Sequence, residues 1–121
     1  MKPFYSIIIA TKNNELTIKY VLRSTLILAE KFDTELIVID GDSNDNTFNV
    51  INDFTSKNKL RYTSLKVLRG PGISLSFARY LGFKNSQGDV LIFLDGDTLF
   101  TNSFRYHFCL LYTSDAADDG E

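Results

Sequence analysis

The chain is poor in the residues that most often announce a small protein's chemistry. Cys109 is its single cysteine and His107 its single histidine. One thiol cannot close an internal disulfide and fits a reducing compartment, so a cytoplasmic location is expected, with membrane association of a full-length protein left open. His107 has no partner in the pattern around it and reads as a surface residue, and nothing near Cys109 points to a nucleophile. No stretch of 18 apolar residues occurs, which excludes a membrane-spanning helix from this sequence. The run Tyr5–Ala10 is too short for a secretory signal and no small-residue cleavage site follows it. A formal net charge of -2 gives no reason to expect nucleic acid as a partner. There is no internal repeat and no low-complexity linker.

Several ligand loops are also missing. Gly70-Pro71-Gly72 is followed by neither Gly-Lys-Ser/Thr nor a third glycine, so it is neither a P-loop nor a dinucleotide fingerprint. A calcium loop starting at Asp95 requires glycine and glutamate where the chain has Phe100 and Tyr106. One starting at Asp40 meets Asp45 and Ile51 instead.

What is present describes one small globular domain: 121 residues, 44% hydrophobic and 23% charged. The last 13 residues differ in character. Of the 15 acids, Asp115, Asp118, Asp119 and Glu121 lie there, with no lysine or arginine among them; without them, 13 basic residues face 11 acidic ones. This stretch resembles translated adaptor sequence, so 109–121 is set apart as a non-native or disordered acidic tail. Residues 1–108 are treated as the domain, with the chain expected to stop partway through a larger protein.

Within 1–108 the apolar periodicity alternates between strand and helix. Tyr5–Ala10 reads as a strand, with Asn13 or Asn14 capping a helix that carries Ile18, Val21, Leu22, Thr25, Leu26 and Ala29 at helical spacing. Glu35–Asp40 reads as a second buried strand. The polar turn 42–46 then leads into a short helix over Thr47–Phe54, with Phe48, Ile51 and Phe54 inward. A weaker strand covers Tyr62–Leu68. After the Gly-Pro-Gly break, a helix is predicted from about Ser74 to Asn85, and Asp89–Leu94 forms a fourth, buried strand. Residues 101–108 offer the start of another helix. The order β-α-β-α-β-α-β predicts an α/β fold: a parallel sheet, helices on both faces and right-handed crossovers.

Polar residues follow three of these strands: Thr11, Lys12 and Glu15 the first, Asp40 and Asp42 the second, Asp95 and Asp97 the fourth. Asx residues also build ordinary turns, which is the competing explanation for any one cluster. If the first and fourth strands are neighbours, however, the clusters flank the crevice where open α/β sheets bind nucleotides. Asp95-Gly96-Asp97 is the most informative of the three. Its i, i+2 spacing in extended backbone puts both carboxylates on one side, and Gly96 leaves room for phosphate oxygens. Two acids so close call for a cation, and a hard divalent ion carrying a diphosphate is the natural candidate. Arg79 and Lys84 are expected to be solvated, although Arg79 is within reach of a phosphate.

Taken in order, these segments resemble the inverting GT-A glycosyltransferases of family 2. Residues 6–15 look like that family's first strand and its Pro/Ala-Thr-x-Asn-x-Glu loop, and 35–47 resemble its Val-Asp-Asp-Gly-Ser-x-Asp-Gly-Thr segment. Ser76–Gly82 is similar to its Ala-Arg-Asn-x-Gly helix, and Gly88–Asp97 to the run into its D-x-D. The resemblance implies the nucleotide-binding half of a GT-A, Rossmann-like fold, and Mg²⁺ or Mn²⁺ as cofactor. It implies a UDP- or GDP-linked sugar as donor and a glycan or polyprenyl phosphate as acceptor. It further implies that Thr11 and Glu15 line the nucleotide pocket, that Asp40 lies by the base, and that Asp95 and Asp97 face the ribose and the metal-diphosphate. Two departures stand out. Gly41 replaces the second acid that relatives place against the base, with Asp42 as its substitute, and Tyr80 replaces an asparagine. The family's catalytic base is expected beyond residue 108, so this chain is expected to bind donor and metal without transferring sugar.

Two other readings differ in class. Leu94–Leu99 echoes the Asp-x-Asp-Gly-Thr-Leu of haloacid dehalogenase-type phosphatases, but Leu99 stands where that motif needs threonine, and the motif belongs on a first strand. A non-catalytic binding module predicts nucleotide binding that is absent or insensitive to metal.

Overall fold

The computed structural model describes residues 2–98. Four strands, β1 (Tyr5–Thr11), β2 (Thr34–Asp40), β3 (Ser64–Arg69) and β4 (Val90–Asp95), alternate with α1 (Ile18–Lys31), α2 (Thr47–Asn58) and α3 (Leu75–Asn85). All pairings are parallel and the sheet order is β3-β2-β1-β4, so the expected architecture is the one found. The predicted helix over 101–108, together with His107, Cys109 and the acidic tail, lies outside the described residues.

The isoleucine-rich strands β1 and β2 are buried along their whole length because helices cover both faces. On one face, Ile7, Ile9, Leu36 and Val38 pack with Ile18, Val21 and Leu22 of α1 and Ile51 and Phe54 of α2. On the other, Ile8, Ala10, Ile37 and Ile39 pack with Ala78 of α3. β4 departs from expectation. It lies at the sheet edge with Val90 and Phe93 exposed, so it is half-covered rather than buried.

Element ends shift where local polar chemistry outweighs apolar pattern. α1 begins at Ile18, after Thr17, because Asn13 and Asn14 build the preceding loop instead of capping the helix. α2 runs a turn beyond Phe54 to Asn58, and Phe48 is only partly buried. α3 covers the predicted segment and is capped by Ser74, whose hydroxyl accepts the Phe77 N–H at 3.1 Å; it ends at Asn85 with Ser86 as C-cap.

Two polar groups inside the packed layers matter for stability. At the amino end of the sheet Glu35 is fully buried. Its Oε1 accepts the Ser6 hydroxyl and the Gln87 N–H, each at 2.8 Å, and Lys66 Nζ sits 3.4 Å from Oε2. This carboxylate therefore ties β1, β3 and the α3–β4 loop to β2. Tyr62 is buried beneath α1, its hydroxyl 2.6 Å from Thr25 Oγ1, and burial raises its phenol from 10.0 to about 12, with the Thr25 hydrogen bond and Arg61 opposing. A raised folded-state value means that Tyr62 contributes fully below pH 10 and that this contribution is lost as pH climbs toward 12. Urea midpoints should fall across that window in the wild type. In Tyr62→Phe the fall should be shallower, and one tyrosine absorbance step near pH 12 should disappear.

Candidate active site

The order β3-β2-β1-β4 means that the chain leaves β1 toward β2 and β3, then returns to pair β4 on β1's other side. The connections diverge at the carboxyl ends of β1 and β4, and the polar clusters gather at that end of the sheet.

Thr11 is the last residue of β1 and is buried; its hydroxyl donates to Asn14 Oδ1 at 2.7 Å, which also accepts the Lys12 N–H at 3.1 Å. Asn13 adopts a left-handed φ of 54°, a conformation asparagine tolerates well. Its N–H donates to Ser43 Oγ at 2.9 Å, and its Oδ1 accepts the Asn44 N–H at 2.8 Å. Asn14 N–H donates to Thr47 Oγ1 at 2.8 Å, and Glu15 N–H reaches Asp45 Oδ2 at 3.4 Å. The loops after β1 and β2 are thereby laced into one surface. Desolvation pushes the Asp45 carboxyl up, but hydrogen bonds from Thr47 and from the Glu15 N–H outweigh it and hold it below 3.8. That contribution is present above pH 3.8 and is lost as pH falls through the depressed value.

Asp40 is fully buried and its carboxylate is engaged on both oxygens. Oδ1 accepts the Ser43 hydroxyl, while Oδ2 accepts the Ser43 N–H at 3.1 Å and faces Arg69 Nε at 3.2 Å. It shapes the β2–α2 loop. Asp42 follows with a left-handed φ of 66°, its side chain 51% exposed and its Oδ1 3.4 Å from Arg69 Nη2. The glycine between them has a packing cause: a Cβ on Gly41 would lie 3.1 Å from the Ile73 carbonyl oxygen.

The Asp-Gly-Asp segment is a turn, so the extended i, i+2 arrangement does not apply. Asp95 ends β4, and the turn is closed by the Thr98 N–H donating to the Asp95 carbonyl at 2.9 Å and the Asp95 N–H donating to Thr98 Oγ1 at 3.2 Å. Gly96 is required by contact with protein rather than by room for phosphate: a Cβ there would collide with Thr11 Oγ1 and Asn14 Oδ1. The Gly96 N–H donates to the Ala10 carbonyl at 2.9 Å and its own carbonyl accepts the Thr17 hydroxyl at 2.8 Å, which anchors the turn on β1 and α1. Asp97 is exposed on that turn. Arg79, expected to be solvated, pairs instead with Asp95, Nη2 to Oδ1 at 2.8 Å.

The structure thus brings Thr11, Asp40, Asp42, Asp95 and Asp97 to one end of the sheet, with Glu15 on the adjoining loop. Sequence reasoning did not single out Arg69 or Thr47. For Arg69 a signal existed: it closes β3 in register with Asp40 closing β2. Among the described residues no group of three or more His, Cys, Asp or Glu side chains is arranged to hold a metal. Of the two acids of the turn, Asp95 has Oδ1 paired with Arg79, while Asp97 is exposed.

A family model for glycosyl transferase family 2 matches residues 6–108. The chain belongs to that family, and the four-stranded parallel half-sheet is its GT-A, Rossmann-like half. Among curated proteins the chain is 39% identical over 100 residues to the poly(ribitol-phosphate) beta-N-acetylglucosaminyltransferase TarP of Staphylococcus aureus, covering 78% of this chain and 28% of TarP. Among solved structures it resembles S. aureus TarS 1-349 in complex with UDP, at 27% identity and TM-score 0.63, over 78% of this chain and 27% of that one. It shares its fold with glucosyl-3-phosphoglycerate synthase from Mycobacterium tuberculosis in complex with Mn²⁺ and UDP-glucose, at 23% identity and TM-score 0.59, over 80% of this chain and 34% of that one. The chain spans about a quarter of the length of the curated relatives it matches, 28%, 24% and 23%.

The two kinds of acid at this end of the sheet should separate on substitution. Asp40→Ala strips partners from buried Ser43 and from Arg69 and should cost about 3 kcal/mol in urea unfolding. Asp97→Asn, on an exposed turn, should change stability by no more than about 0.5 kcal/mol.

Proposed function

We propose that this chain is the donor-binding part of a metal-dependent glycosyltransferase that moves a sugar from a nucleoside diphosphate to an acceptor with inversion. The observation that carries this reading is the meeting of the Asp95–Asp97 turn with the Thr11 loop at the switch point between β1 and β4. The family membership and the UDP-bound TarS relative support a nucleotide-sugar donor, UDP-linked in the first instance. Asp97, with Asp95 beside it, would hold Mg²⁺ or Mn²⁺. When bound, the ion supplies positive charge that offsets the charge developing on the diphosphate leaving group.

The chain's own groups divide the remaining work. Thr11 and Asn14 hold the β1 loop against Gly96, so the turn that carries Asp97 stays fixed relative to β1. Arg79 neutralises Asp95 and presents a guanidinium beside it, a planar cation suited to diphosphate oxygens. Glu15 and Thr11 flank the nucleotide, and the acids after β2 lie toward the base. Inversion requires a base that removes the acceptor's proton as its oxygen attacks the anomeric carbon. We assign that base to the acceptor half of a full-length enzyme, and we expect the 121-residue chain alone to release no free nucleotide from a donor when acceptor is present. The acceptor class proposed is a glycan or a polyprenyl or polyol phosphate, in line with the poly(ribitol-phosphate) in the name of TarP.

Calorimetric titration of the 121-residue chain with UDP and GDP, each with and without Mn²⁺, tests the donor site. Binding should require Mn²⁺ and should weaken at least tenfold in Asp97→Asn. Metal-independent binding, or none by a chain with a folded circular-dichroism spectrum, would leave an inert module as the better description.

A further inference from the structure

Independently of the donor-site reading, we propose that the solvent face at the start of α1 is a docking surface for an anionic lipid bilayer. Leu16 and Tyr20 enter the interface, and Lys19 and Arg23 hold its phosphates.

Helical spacing puts these four side chains together. The Ile18 N–H donates to the Asn14 carbonyl at 2.8 Å and the Val21 N–H to the Thr17 carbonyl at 3.2 Å. The turn through Leu16 therefore continues the spacing of α1 backward, and positions 16, 19, 20 and 23 fall on one face. Ile18, Val21, Leu22 and Thr25 occupy the opposite, buried face. The helix thus carries apolar groups on two sides, and the core uses only one. Leu16 is 84% exposed and Tyr20 61% exposed. A single exposed leucine needs no explanation, but a leucine and a tyrosine one turn apart, flanked by cations, have the composition of an interfacial helix.

Charge identifies the occupant. From Leu16 to Ala29 the chain carries no acid, although its formal net charge is -2. Lys57, Arg61, Lys66, Arg69 and Arg79 each face a carboxylate. Lys19 and Arg23 are exposed and pair with no acid among the described residues. Glu30, the next acid along the helix, is held by Arg61 at 2.8 Å. Two unpaired cations beside two bare apolar side chains complement a surface with phosphate at its face and hydrocarbon beneath. Leucine enters the acyl boundary, the tyrosine ring lies at headgroup level, and the long basic side chains reach lipid phosphates. A soluble polyanion would use the cations and leave the apolar pair in water. The exposed aromatics of α3, Phe77, Tyr80 and Phe83, lack this charge pattern, since Lys84 lies over the Tyr80 ring, 6.0 Å from its centre.

The place of the patch gives it a consequence. Thr17, next to Leu16, donates its hydroxyl to the Gly96 carbonyl at 2.8 Å, so the patch borders the turn that carries Asp97. A bilayer seated there lies beside the carboxyl end of the sheet, where a lipid-linked acceptor would meet the donor. No described helix is long and apolar enough to cross a membrane, and the contact proposed is peripheral.

Flotation of the 121-residue chain with phosphatidylcholine vesicles, with and without phosphatidylglycerol, tests the surface. The chain should float with the anionic vesicles and not with the neutral ones, and added salt should release it. Lys19→Gln and Arg23→Gln should each weaken the anionic partition about fivefold. Leu16→Ser combined with Tyr20→Ser should weaken it about tenfold while retention on a heparin column is unchanged. The chain has no tryptophan, so Tyr20→Trp supplies a local probe. Its emission should move to shorter wavelength on anionic vesicles, whereas that of Leu60→Trp, at an exposed position by the other end of α1, should not. No flotation by a chain with a folded spectrum, equal flotation with neutral vesicles, or loss in Phe83→Ser but not in the α1 variants would overturn the proposal. So would unaltered flotation of the Leu16 and Tyr20 double variant, which describes a polyanion site instead. None of these outcomes bears on Mn²⁺-dependent UDP binding, which tests the donor site by itself.

Discussion

Parallel pairing of β1 on both of its sides is the constraint from which the site follows. β2 lies along one edge and β4 along the other, with Thr11 opposite Asp40 and Ala10 opposite Asp95. Because the register is fixed by buried isoleucines on both faces, a slip of one residue would turn the core side chains to the wrong helices. The same register brings the ends of three strands, and the acids they carry, to one level. The site's coarse geometry is therefore a by-product of core packing.

Finer placement comes from short polar side chains acting on backbone. Asn13, Asn14, Ser43, Thr47 and Asp45 exchange hydrogen bonds between two loops, and Thr11, Thr17 and Gly96 fasten a third. None of these groups is long, so each fixes its partner with little side-chain entropy to lose. The longer residues, Arg69 and Arg79, then span between loops and supply charge to Asp40, Asp42 and Asp95. Among the acids, Asp40 is spent on building its loop, whereas Asp42 and Asp97 are exposed.

Element types were legible because short unbroken apolar runs alternate with segments of period 3.6 between Tyr5 and Asp95, and the parallel order follows from that alternation. The location of the acids was legible for the same reason, since an apolar run that stops at an acid marks a strand end. What the pattern did not carry was the use of each polar group. Asn13 and Asn14 look like helix caps, yet they face Ser43 and Thr47, 30 and 33 positions away in the chain. Gly96 looked like space for a phosphate, but the space is filled by Thr11 and Asn14. Arg79 looked solvated because its partner Asp95 is 16 residues distant and meets it only through the fold. The exposure of β4 was hidden because Val90–Leu94 is as apolar as an interior strand.

The pairing of β1 with β4 also governs how the chain is made. Of the four strands β1 is synthesised before the others and can dock on β2 within some 30 residues, but its other neighbour follows far later: Phe4 and Asp89, which join their ends, are 85 positions apart. At about 5–20 residues per second, several seconds of synthesis pass with one side of an isoleucine-rich strand unpaired. Such an edge is a template for pairing with another nascent chain. The closing contact is among the most non-local in the domain and should form late. The strand that organises the finished site is, during synthesis, its most exposed liability.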